Sequence, residues 1–149
     1  MFECEIVRPV PRGDFACDLF SSLLILWHRR HGFLMQQRSD DAPVMPSCIG
    51  FFGGGIHRDE TPLATARREL QEELRLGAVT LDFAGRRIAE VEPDHCELAY
   101  FFSAELDGDH YTVYEGTGSV WVDPSRPPAG LYPRDLATLR AFRAEQMLS

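Results

Sequence analysis

Residues 53–77, GGGIHRDETPLATARRELQEELRLG, restrict the possible folds more than any other stretch. A glycine-rich loop, Gly53–Gly55, runs into a segment whose start and stop are both chemically marked. Thr61 is a good N-cap and Pro62 suits the first helical position. Asp59 and Glu60 sit at the helix end that favours carboxylates. Leu63, Ala66, Leu70 and Leu74 repeat at helical spacing, which predicts a helix with that stripe turned inward. Glu69, Glu72 and Glu73 fall within about a quarter-turn of one another and flank the stripe. Like charges so placed repel by a few tenths of a kcal/mol per pair, and Arg68, four residues before Glu72, offsets part of it. Two accounts fit such a helix. It is a solvated face, glutamate being a good helix former, or it is a site for a hard cation, since Mg²⁺ takes carboxylates together with phosphate oxygens.

The rest of the chain alternates strand and turn signals. ECEIVRPV reads as a short edge strand broken by PRGD, SSLLILWHR and FLMQQR as a hairpin turning at His31-Gly32, and CIGFF as a short strand entering the glycines. After the helix come AVTLDFAGRRIAEVE, ELAYFFSAEL and SVWV, all strand-like, with LDGDH as a turn. RDLATLRAFRAEQML predicts a final helix with Leu136, Leu139 and Phe142 on one side. Strands, helix, strands, helix in 149 residues describe one mixed α/β domain over 1–149.

Composition excludes some functions. A formal net charge of −8 argues against a nucleic-acid polymer or a membrane surface as partner. A phosphate ligand stays open, because a divalent cation carries positive charge locally. Cys4, Cys17, Cys48 and Cys96 show no metal-type spacing and read as reduced thiols. LFSSLLILW is too short to span a membrane and the first residues lack a signal pattern, so a cytoplasmic location is expected. His57, His95 and His110 are isolated; Trp27, Trp121, Phe51 and Phe52 are suited to stacking on a base, but core packing explains most of them more simply.

Residues 54–76 resemble the Nudix box, G-x5-E-x7-R-E-U-x-E-E-x-G-U, with U a bulky aliphatic residue. Gly54, Glu60, Arg68-Glu69-Leu70, Glu72, Glu73 and Leu76 match, eight of nine fixed positions. The resemblance implies an α/β/α sandwich with a mixed β-sheet between helices. It implies hydrolysis of a pyrophosphate bond in a nucleoside diphosphate linked to another moiety, with Mg²⁺ or Mn²⁺ as cofactor. The catalytic set it implies is Glu69, Glu73 and Arg68: an acid, most often Glu69, helps take the proton from water, and Arg68 orients the acids. Gly53, Gly54 and Gly55 would let backbone approach the substrate closely. The implied metal ligands are the Gly53 carbonyl, Glu69, Glu72 and Glu73. VYEGTGSVWV resembles a later segment of the mutator-type members, in which Glu115 would reach the metal; the same residue also suits a solvated turn. Glu97 suits a strand-end charge better than a ligand.

Three departures stand out. Arg75 replaces the box's late glycine, which predicts that the helix runs on to Gly77. Phe52 stands where many relatives have proline, and His57 where many have an acid that pairs with the motif arginine, which predicts a looser Arg68. The alternative to an enzyme is a Nudix-fold module that binds nucleotides without cleaving them; retention of the acids weighs against it. Members commonly dimerise, though no residue here specifies a homodimer surface. Substrate choice is expected to lie in SDDAPVMPS and DPSRPPAGLYP.

Overall fold

In the apolar run of residues 19–28 the whole sandwich is already set. An uninterrupted hydrophobic strand needs cover on both faces. Alternate residues of β2 (Leu19–His28) supply it: Leu24 and Leu26 enter one core, Ile25 and Leu23 the other. The structure is a computed structural model and describes residues 2–6, 17–41, 47–92, 95–115 and 118–148. The expected PRGD break, residues 42–46 of the first selectivity loop and Gly116-Thr117 lie outside the described residues.

The sheet runs β1 (Phe2–Ile6), β6 (Asp82–Glu92), β7 (His95–Glu105), β2. β1 lies parallel to β6 at the edge, β6 antiparallel to β7, and β7 parallel to β2, so the sheet is mixed. On its other edge β2 divides its pairing. Its first half pairs with β5 (Phe52–Gly55) and its last residues with β3 (Gly32–Gln37), both antiparallel. β4 (Ile49–Gly50) continues along β3, and β8 (Gly118–Val122) closes β3's far edge.

Helix α1 (Pro62–Leu74) covers one face through Ala66, Leu70 and Leu74, against Leu24, Leu34, Phe52 and Phe102. Helix α2 (Pro133–Leu148) covers the other through Leu139 and Phe142, while Leu136 is half-buried. The α/β/α sandwich and the predicted helices are therefore present. Leu63 departs from the expected stripe and stays 38% exposed. The buried sector of α1 turns instead toward Thr65 and Glu73, so that Glu73 belongs to the inward face rather than its flank. Of the aromatics expected in the core, Phe52 is fully buried, and Phe51, Trp27 and Trp121 pack against it partly exposed.

A buried cation ties α2 to the sheet. Arg87 of β6 is 2% exposed and lies over the Phe101 ring. It donates to Asp135 at 2.7 Å and Thr138 at 3.1 Å, and stands 3.6 Å from Glu97, which also accepts from the Ser21 hydroxyl. Glu97 is thus a structural partner, not a ligand.

Candidate active site

The chain before α1 is built around Glu60. Its carboxylate accepts from the His57 amide at 3.0 Å and from the Thr65 hydroxyl at 2.9 Å. Arg68, two turns into the helix, grips it with one edge of its guanidinium, Nε at 2.7 Å and Nη2 at 3.0 Å. The Arg68 guanidinium holds the Glu60 carboxyl down to about 2. Arg68 Nη1 then donates to Glu69 at 3.1 Å and Glu72 at 3.3 Å. The predicted loosening by His57 does not occur, because the bidentate partner is Glu60 and His57 contributes only backbone and an exposed ring.

Glu73 is the centre of the arrangement. It is 7% exposed, its carboxyl lies beside that of Glu69, and the Gly53 amide donates to it. Its Oε2 is buried without a hydrogen-bond partner. Burial first, and the charge of Glu69 second, push the Glu73 carboxyl from 4.5 up to about 8. Glu115 is exposed but close enough to add to that rise. Its neighbour Tyr114 donates a backbone N–H to the Glu73 carbonyl at 2.7 Å, which fixes this loop against the helix end. The structure therefore brings together Arg68, Glu69, Glu73, Gly53 and Gly54, with Glu72, 40% exposed, and Glu115 at the rim.

The glycines are not a loop. Gly53–Gly55 lie in strand β5, paired with Leu23, Ser22 and Ser21. Their smallness serves close packing rather than flexibility. A Cβ on Gly53, at φ 135°, would lie 2.3 Å from the Ser22 carbonyl, and one on Gly54 would lie 2.4 Å from Glu69 Oε1. Gly55 has no such constraint, its nearest neighbour being 3.9 Å away, and its carbonyl accepts from Arg68.

The helix also ends earlier than predicted. Arg75 adopts the left-handed conformation, φ 58° and ψ 35°, and its amide bonds the Gln71 carbonyl at 3.0 Å. Arginine costs about 1 kcal/mol in that geometry, yet the backbone keeps the turn a glycine would make. Its guanidinium lies over the Tyr114 ring, 5.1 Å from the centroid. Sequence reading missed Tyr114 and Thr65, since neither carries a motif and only the fold brings them to the box.

Among the described residues no three acidic, histidine or cysteine side chains already converge as a metal cage. Arg68 draws Glu72 and one oxygen of Glu69 to itself, and Glu115 arrives on a loop. The donor set still suits a hard cation: carboxylate oxygens crowd together, and one of them is buried with nothing to bind. A separate cavity of about 590 Å³, lined among others by His28, Arg30, Asp82, Glu105 and Tyr111, opens elsewhere; Glu69, Glu72, Glu73 and Glu115 do not line it.

A family model for the NUDIX domain matches residues 20–142. The chain belongs to the Nudix family. The enzyme class follows: it is a Nudix pyrophosphohydrolase. No curated protein matches the sequence. Solved structures share the Nudix fold at low identity. The MutT protein of Methanosarcina mazei Go1 is 20% identical, with a TM-score of 0.73 over 86% of this chain and 94% of that one. The E. coli dihydroneopterin triphosphate pyrophosphohydrolase is 20% identical, TM-score 0.70, covering 83% and 93%. The Nudix domain of Shewanella oneidensis NrtR, complexed with ADP ribose, is 16% identical, TM-score 0.68, covering 95% and 96%.

Proposed function

We propose that this Nudix domain hydrolyses a pyrophosphate bond in a nucleoside diphosphate linked to another moiety, with Mg²⁺, or Mn²⁺, held by Glu69, Glu72 and Glu73, the Gly53 carbonyl and Glu115. The observation that carries the reading is Glu73: a carboxyl buried against Glu69 with an unpartnered oxygen and a raised affinity for its proton. Such an arrangement is costly without a ligand cation. A bound divalent cation supplies charge neutralisation of the diphosphate and acidifies an attacking water. Arg68, itself fixed by Glu60, holds Glu69 and Glu72 in place. Glu69 accepts the proton of the attacking water, and the close packing of Gly54 fixes where that carboxylate lies. Gly53 orients Glu73 by its amide.

Two relatives of the same fold take compounds named as a triphosphate and as ADP ribose, which supports a small nucleotide-like substrate over a polymer. Free Cys17, Cys48 and Cys96 suit a reducing, cytoplasmic setting. Among the described residues no helix is long and apolar enough to cross a membrane. The test is hydrolysis of a nucleotide panel with Mg²⁺ and product analysis. Sugar nucleotides, nucleoside triphosphates, ADP-ribose and dinucleotide polyphosphates belong on it. Cleavage of a diphosphate bond in at least one class, abolished by chelation, is expected. A folded chain that cleaves none of them sinks the reading.

A further inference from the structure

Arg75 is the fixed box position that this chain does not keep, and its structure is strained where glycine would be relaxed. The cap it makes uses only its backbone. Its side chain is exposed and forms no ion pair among the described residues, although the chain has a net charge of −8. It rests instead on the ring of Tyr114, itself 55% exposed. A cation–π contact at so exposed a place does no more than offset the backbone strain.

We propose that Arg75 and Tyr114 form an anion-binding arm of the active site that grips a phosphate group of the substrate. The inference rests on the reading given under Proposed function. Location supports it: the Tyr114 amide is bonded to the Glu73 carbonyl at 2.7 Å, and the next residue, Glu115, acts electrostatically on the Glu73 carboxyl. The arm is therefore anchored to the backbone of the residue that carries the buried acid. Charge supports it as well. The acids repel a diphosphate, and the cation bonded to them, Arg68, has all three guanidinium nitrogens engaged by Glu60, Glu69, Glu72 and the Gly55 carbonyl. Among the described residues Arg75, two residues beyond Glu73, is an exposed cation engaged only by the Tyr114 ring. A guanidinium stacked on an aromatic face keeps its N–H edge free, in the plane that suits two phosphate oxygens.

The experiment titrates inorganic pyrophosphate into the full chain with Mg²⁺ present, by calorimetry, alongside ligand-free melting curves. Arg75→Gly is expected to melt as high as the parent or higher, since it relieves the left-handed strain. It is expected to bind Mg²⁺–pyrophosphate about tenfold more weakly, the loss of a charge-assisted hydrogen bond. Arg75→Lys, which keeps charge but not the planar edge, should fall between. On a cleaved substrate, Arg75→Gly should raise KM with little change in kcat. Tyr114→Leu leaves the backbone bond to Glu73 and should weaken binding too. Parental affinity in Arg75→Gly overturns the proposal, and a lower melting temperature overturns the strain argument behind it. Parental affinity in Tyr114→Leu overturns the two-residue arm. A parent chain that binds no Mg²⁺–pyrophosphate overturns both this and the proposed metal site, whereas an indifferent Arg75→Gly in a binding parent overturns this alone.

Discussion

Replacing Glu73 with glutamine isolates the cost of the buried acid. In the metal-free chain the Glu73 carboxyl holds its proton up to about pH 8, against an ordinary value of 4.5. A carboxyl whose proton affinity rises on folding makes the folded chain bind more protons than the unfolded one between those limits. Stability is therefore lost as pH climbs from about 4.5 to about 8, and the full penalty is present above that. The gap corresponds to at most about 5 kcal/mol. Sharing of the proton with Glu69 and local relaxation reduce the expected effect to about 2–3 kcal/mol. Glutamine mimics the protonated acid: its oxygen keeps the Gly53 amide, and its amide group faces Glu69. Glu73→Gln should thus melt about 4–10 °C above the parent at pH 8.5 without metal. The difference should shrink to a degree or two near pH 5, where the parent is protonated as well. Adding Mg²⁺ should raise the parent's melting point, by about 2.7 kcal/mol of stability at one hundred times Kd, and leave Glu73→Gln nearly unmoved. Differential scanning calorimetry across pH, with and without Mg²⁺, reads all of this. A variant that melts at or below the parent at pH 8.5, with no convergence toward pH 5, refutes the reasoning. Loss of hydrolysis in the same variant would complete the exchange of stability for activity.

Two further substitutions test other parts of the site and its support. Gly54→Ala places a methyl group 2.4 Å from Glu69 Oε1, so the carboxylate must move; kcat should fall about 10²-fold while far-UV circular dichroism stays that of the parent, and an unchanged kcat would show that Glu69's position is not critical. Arg87→Met removes the buried cation from buried Asp135 and half-buried Glu97; stability should drop by about 3–5 kcal/mol, and a denaturant midpoint equal to the parent's would show that the network contributes nothing.

Much of this molecule was legible as a linear string because local rules dominate it. Thr61, Pro62 and the apolar repeat determined where α1 begins and that it is a helix, and the hairpin of β2 and β3 followed from two apolar runs flanking a turn. The spacing of Arg68, Glu69, Glu72 and Glu73 determined that four charges share one surface, since helical geometry alone sets that. Tertiary structure decided what those charges do. Only the pairing of β5 with β2 turns three glycines from a loop into a packed strand pressed against Glu69. Only the tilt of α1's buried face puts Glu73 inside, where burial first, and the charge of Glu69 second, raise its proton affinity. Arg75 likewise shows a limit of local reading: intrinsic preference argues for a longer helix, but the turn that docks Leu76 in the core and the Tyr114 segment at the helix end hold an arginine in a glycine's conformation. Position along a helix is a short-range property. Burial, orphaned oxygens and long-range partners such as Arg87 with Asp135 arise from contacts between segments far apart in the chain.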